Sequence, residues 1–166
     1  MSAFWAQMRI DENEGTIFDQ DRRYLAMRPD VLMGMLHELP AGTRAEVLAA
    51  LAESARKNGG KSVAAYLAAV GPAQLQQSVV GGAAALGWGS WTIQHQAGRA
   101  ELLVRNSPFA DGHGPANAPL CAPIMGIFHS LAQALMDGPV HVTEVACVAC
   151  GAPACHFVAR QGDTPD

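Results

Sequence analysis

All four cysteines of this 166-residue chain fall between positions 121 and 155, and none occurs in the first 120 residues. Clustering of that kind constrains a fold more than any propensity, because thiols brought together must share a metal, a disulfide or a redox cycle, or be buried by coincidence. Three of them sit in the run Thr143-Glu144-Val145-Ala146-Cys147-Val148-Ala149-Cys150-Gly151-Ala152-Pro153-Ala154-Cys155-His156-Phe157. The fourth, Cys121, heads an apolar segment that precedes it.

The setting favours a metal. With 49% apolar and 16% charged residues the chain is of the globular type and long enough to bury a core without covalent staples. A net charge of −4, with no run of Lys and Arg, speaks against a nucleic-acid partner. The pair Arg22-Arg23 lies among Asp19, Asp21 and Asp30 and reads as a solvated face. No stretch approaches the roughly 18 apolar residues of a membrane span. The start, Met1-Ser2-Ala3-Phe4-Trp5, has none of the marks of a signal peptide, so a cytoplasmic protein is expected. In that compartment clustered cysteines bind metal or do redox work more often than they form disulfides.

The pattern predicts an α/β (α+β) fold, a small antiparallel sheet backed by helices. Residues 1–14 show no period and form an N-terminal segment, 15–160 a single domain, and 161–166 a polar tail. Thr16–Phe18 and Tyr24–Met27 read as strands around a polar turn. A short helix begins at Pro29 and ends before Pro40. Thr43 and Glu46 form a capping box for the next helix, which Gly59-Gly60 should stop, with Ser62 capping its successor. Pro72 opens a further helix containing Gly81-Gly82, which either loosens it or lets a neighbour approach its backbone closely. From Gly87 the period becomes two. Trp88–Gln94 and Ala100–Arg105 form a hairpin, Asn106–Ala118 an exposed loop, 119–137 an apolar helix, and Val140–Val145 and His156–Ala159 a pair of strands.

Cys147-Val148-Ala149-Cys150 has redox spacing, but a catalytic dithiol opens a helix after a strand, whereas this one lies between strands. Cys147 and Cys155 flank a tight turn, Glu144 lies on the entering strand, and Cys121 lies at the start of the preceding helix. One helix start and one hairpin can therefore aim three thiolates and a fourth donor at one point. Soft thiolates select zinc, and a structural site needs four ligands. Spacing alone leaves Glu144 and Cys150 equally eligible as the fourth.

Asn106-Ser107-Pro108-Phe109-Ala110, Cys121 before an apolar helix, Glu-x-x-Cys-x-Ala-x-Gly-x-x-x-Cys-x-Phe over 144–157 and the entry Gly87-Trp88-Gly89 together resemble the 4-vinyl reductase domain family. The resemblance covers about residues 15–160. Members include the sensor domains of phenol- and toluene-responsive bacterial regulators and a factor of bacteriochlorophyll synthesis. It implies zinc held by Cys121, Glu144, Cys147 and Cys155, which selects Glu144 and leaves Cys150 a spare thiol. It also implies a homodimer and an apolar ligand pocket between helices and sheet, for which Trp88, Tyr66, His129 and Val142 are the candidate residues. Trp88 matches the family's phenol-binding Trp. No His matches the His beside it, and Val142 replaces an aromatic residue before the Glu, so phenol is not expected to be held in the same way. His113 reads as solvated, His156 as facing away from the cysteines.

The resulting expectation is a zinc-containing small-molecule-binding domain, sensor or carrier, for a hydrophobic or aromatic ligand and without catalysis. Because the sequence ends at Asp166, its output should pass through a partner protein or the carried ligand. Two alternatives are an accessory or carrier factor of bacteriochlorophyll (tetrapyrrole) biosynthesis and a zinc-dependent enzyme. A reductase acting alone is disfavoured, since no Gly-rich dinucleotide fingerprint is present.

Overall fold

The computed structural model describes residues 5–6 and 8–162; the expectations for residues 1–4, 7 and 163–166 lie outside them. Two antiparallel sheets carry the strands. The first is a three-stranded meander of β1 (Met8–Asp11), β2 (Thr16–Asp19) and β3 (Arg22–Tyr24). The predicted hairpin is present but tighter than expected. Asp19 pairs with Arg22, so Gln20-Asp21 is a two-residue turn, and Gln20 takes the positive φ of 55° that the strand twist demands there. β1 gives no sign in the sequence because this edge strand is largely exposed and shows no apolar alternation.

Helices follow: α1 (Pro29–Gly34) with a 3₁₀ turn (Met35–Glu38), α2 (Ala41–Ser54), α3 (Gly60–Val70) and α4 (Pro72–Ala85). Two sequence expectations need correction here. Helix α2 starts behind an extended Pro40, whose carbonyl accepts from the Thr43 amide at 3.0 Å; Thr43 is inside the first turn and caps nothing. Nor do Gly59-Gly60 stop the chain. A π-helical turn (Ala55–Gly59) joins α2 to α3, and Ser62 lies within α3. The glycines serve closeness instead: a Cβ at Gly59 would stand 1.9 Å from Ile127 Cδ1, and one at Gly60 2.8 Å from Ser130 Oγ. Ser130 Oγ donates to the Arg56 carbonyl at 3.0 Å across the same contact.

The second sheet has the order β4-β5-β7-β6, with β4 (Ser90–Gln96), β5 (Arg99–Arg105), β6 (Val140–Ala146) and β7 (Cys155–Gln161). Its hairpin β4–β5 matches the expectation. Asn106–Ala118 is not wholly loop: Ser107, followed by Pro108, starts a short helix α5 (Pro108–His113) whose Phe109 and Ala110 are buried. Helix α6 (Ala122–Met136) crosses the inner face of the sheet, burying Ile124, Phe128 and Leu131, with Phe128 edge-on to Phe157 at 6.5 Å. Close approach recurs at Gly126 of α6. A Cβ there would lie 2.2 Å from the Ala52 carbonyl oxygen and 2.7 Å from the Arg56 nitrogen, so only glycine lets α6 lie against α2.

Candidate metal centre and ligand cavity

Helix α6, strand β6 and the β6–β7 connection meet at one buried point. Cys121 is the N-cap residue of α6. Along β6 the residues Val140, Val142 and Glu144 share the inward face, as period-two alternation requires, and a bulge between Glu144 and Ala146 resets the register just beyond. Cys147 ends that strand, a 3₁₀ turn (Val148–Cys150) closes on Gly151 at φ 90°, and Cys155 begins β7. Ligand atoms of Cys121, Glu144, Cys147 and Cys155 all lie within 4.8 Å of one another. The three cysteines are completely buried.

The sulfurs form a near-equilateral triangle. Cys121 Sγ is 3.8 Å from Cys147 Sγ and 3.6 Å from Cys155 Sγ, and the remaining side is 3.8 Å. These separations are far above the roughly 2.05 Å of a disulfide, and all the cysteines are free. Glu144 Oε2 accepts the Cys121 backbone N–H at 2.8 Å, so a carboxylate from the sheet tethers the helix start. Its other oxygen, Oε1, is buried and has no partner among the described residues. A buried acceptor of that kind needs a reason, and a cation shared with three sulfurs supplies one.

Electrostatics point the same way. Without a cation, burial and then the neighbouring Cys147 thiolate push Glu144 up to about 8. Cys121 is raised as its thiol donates to Cys147 and Cys155, and Cys147 is lowered by accepting from both. Four such groups cannot all be ionised side by side unless positive charge enters. The set could therefore hold a metal ion. Cys150 stands apart as an exposed thiol, outside the group.

One contributor has no place in the sequence reading. Ser107 is buried, caps α5 by accepting from Ala110 N–H at 3.5 Å, and sets its Oγ 3.2 Å from Cys121 Sγ. The dipeptide Ser107-Pro108, an N-cap before a proline at the first helical position, is the signal that could have revealed it. Val148 N–H likewise donates to Cys155 Sγ at 3.4 Å.

A cavity of about 700 Å³ lies away from this cluster, between the first hairpin and the helices. Trp88, Trp91, Leu86, Val79 and Ile127 make its apolar wall, and Tyr66, Tyr24, Arg22, Asn58 and Lys61 its polar side. Gly89, at φ 93°, lets the chain turn from Trp88 into β4 where a Cβ would meet the Arg105 carbonyl oxygen at 2.5 Å. Trp88 stands edge-on to Phe109 at 5.1 Å, and Trp91 Nε1 donates to the Trp88 carbonyl at 3.0 Å. The Tyr66 hydroxyl reaches van der Waals distance, 3.4 Å, of where a Cβ on Gly82 would be, so the second of the paired glycines accommodates a neighbour.

Of the four residues suggested for ligand contact, Trp88 and Tyr66 line this cavity. His129 and Val142 do not. Val142 is buried in β6 under the sheet's core, and His129 lies on α6 with Nδ1 buried and unpartnered among the described residues. Arg22 is not part of a solvated face. Its Nη2 donates to the buried Asp19 at 2.8 Å, and the rest of the residue faces the cavity.

Residues 101–161 match the sequence model of the vinyl-4-reductase domain. No curated protein sequence matches the chain. Among solved structures, the phenol-responsive sensory domain of the transcription activator PoxR with phenol aligns at a TM-score of 0.79 and 20% identity, covering 97% of this chain and 92% of that one. A vinyl-4-reductase family protein from Methanocaldococcus jannaschii aligns at 0.52 and 16% identity, over 84% and 98%. Subunit 3 of a trafficking protein particle complex from Naegleria fowleri, covalently bound to palmitic acid, aligns at 0.53 and 11% identity, over 81% and 95%. At these identities the likeness is one of fold.

Proposed function

For a chain that carries the vinyl-4-reductase domain match, we propose a non-catalytic ligand-binding domain, spanning residues 15–160, that takes a hydrophobic or aromatic small molecule into the cavity beside Trp88. The observation that carries this reading is the cavity itself. Its volume of about 700 Å³ lies in the usual range of ligand sites, roughly 300–1,000 Å³. It is more than four times the roughly 150 Å³ that encloses a benzene. The volume suits a ligand of more than one ring. A likeness of fold to a protein whose structure contains phenol supports the same class of ligand.

The metal of this reading is zinc, held by Cys121, Glu144, Cys147 and Cys155. Sulfurs about 2.3 Å from a tetrahedral zinc stand roughly 3.8 Å apart, and the observed 3.6 and 3.8 Å agree with that. Four protein donors leave no open position, so the ion ties α6 to the β6–β7 hairpin instead of activating water. Ser107 Oγ and the Val148 amide stabilise the thiolates around it. The protein acts in the cytoplasm as a homodimer, and its signal or cargo reaches a partner protein.

The test is isothermal titration of the purified chain with 2-naphthol, an uncharged two-ring aromatic. Saturable one-to-one binding that Trp88→Ala weakens at least tenfold is the expected result; no heat at millimolar probe would contradict the reading. The breadth of the cavity also favours a second reading, a tetrapyrrole carrier. A porphyrin titration followed by absorbance separates the two, since a carrier must shift the porphyrin spectrum.

A further inference from the structure

Charge around the cavity runs against the charge of the chain. The whole sequence has 11 Lys and Arg against 15 Asp and Glu. The residues that line the cavity include Arg22, Arg23 and Lys61 against one carboxylate, Asp21. Arg22 is the best placed of these. Asp19, only 4% exposed, fixes one guanidinium nitrogen at 2.8 Å. Arg22 Nε is buried with no partner, and its remaining nitrogen makes no hydrogen bond among the described residues. A guanidinium offers five donors in a rigid fork, and here one contact to Asp19 orients the fork while leaving most donors unused. Burying a charged group only to leave it so poorly paired costs stability, unless a partner of opposite sign completes it.

The opposite wall adds to this. The π-helical turn Ala55–Gly59 interrupts an otherwise regular helix and brings Asn58 to the cavity, with Lys61 one turn on. Lys61 Nζ donates to Asn58 Oδ1 at 3.3 Å, which holds the ammonium at that side. Such turns occur where a helix is reshaped for a site. Beneath the cations lie Trp88 and Trp91. A cationic rim over an indole floor fits a molecule with an apolar body and one anionic end.

We propose that the ligand of this cavity is an organic acid, an aromatic or hydrophobic body carrying a carboxylate, whose charged end is held by Arg22 with Lys61 and whose body rests on Trp88 and Trp91. The inference rests on the ligand-binding reading above and narrows it. An uncharged phenol or hydrocarbon would leave the Arg22 fork unsatisfied. The carboxylate also supplies specificity, since a preset guanidinium rejects an isosteric neutral group by leaving both partners unpaired.

The experiment is isothermal titration of the full chain with a matched pair, 2-naphthoate and 2-naphthamide, at low salt. Naphthoate is expected to bind at least tenfold tighter than the amide, and the difference should shrink as salt rises. In Asp19→Asn/Arg22→Gln, which removes the buried pair together and keeps its shape, the preference should vanish while amide binding persists. Lys61→Gln, an exposed position, should lower it a few-fold and serves if the double variant does not fold. Equal affinities for the two probes in the wild-type chain would overturn the acid-ligand proposal while leaving an apolar-ligand cavity standing. Binding of neither probe would overturn both.

Discussion

The sulfur cluster and the cavity are opposites in construction. The cluster is small and dry, with three cysteines fully buried and every neighbour within hydrogen-bonding or van der Waals reach. The cavity is wide and walled by side chains from several separate elements, many of them half-exposed. A site that must keep its shape needs donors whose number and spacing are fixed. A site that must admit a ligand needs space, and space is made by residues that fail to fill it. The two regions meet in helix α6, where Cys121 starts the helix and Ile127 reaches the cavity wall. Firm anchoring at one end of a helix is thus able to steady a looser wall at its middle.

The comparison breaks first at the cluster. Cys121→Ser should remove the bound metal and lower stability by more than about 4 kcal/mol, because metal binding there is also folding energy. Cys150→Ser should change neither, being exposed and outside the donor group; chemical denaturation paired with elemental analysis reads both. Equal losses in the two variants would mean that the thiols matter only as packing.

Next comes the joint between the regions. Gly126→Ala would drive a methyl into the Ala52 carbonyl and should cost about 3 kcal/mol, visible as an earlier urea midpoint. Gly42→Ala is the control. On the same partner helix but with open space around it, this change should gain up to about 1 kcal/mol.

The cavity itself responds more mildly. Trp88→Ala should weaken 2-naphthol at least tenfold with the metal content unchanged, since Trp88 lines the cavity and touches no ligand sulfur. Loss of metal in that variant would erase the division between the regions.

The smallest effect is a pH slope. Burial, and then the Arg56 charge, hold His129 below the ordinary histidine value. A histidine whose folded pKa is depressed stabilises the fold above its unfolded pKa, and that contribution is lost as pH falls through the folded value. His129→Gln should therefore flatten the loss of thermal stability on acidification below about pH 6.5. The groups that act on the ring include Glu53 and His141 as well as Arg56, so salt should weaken the effect.

These regions also differed in how plainly the sequence announced them. The cluster was legible because chemistry restricts which residues can serve: Cys121, Cys147 and Cys155 stand out by type, and their spacing against Glu144 follows from one helix start and one tight hairpin. The second sheet was legible too, from alternation in β4, β5, β6 and β7. Helix ends were not. Gly59 and Gly60 read as a stop, yet their role is to let α6 approach, a tertiary demand invisible along the chain. Thr43 and Glu46 carried a capping pattern that Pro40 pre-empted. The cavity was the least legible, because a void is made by elements far apart in sequence. Tyr66 and Trp88 were within reach of reasoning by resemblance, whereas the Asp19–Arg22 pair lay in a run of alternating charges that looked like plain surface.

Native mass spectrometry of the full chain, titrated with 2-naphthol, weighs metal and ligand on the same molecule. The account predicts one zinc per chain before any ligand is added, and one ligand added without loss of that zinc. It also predicts that Trp88→Ala keeps the zinc and loses the ligand. A folded chain that carries no metal, or a zinc signal that declines as ligand binds, would contradict it.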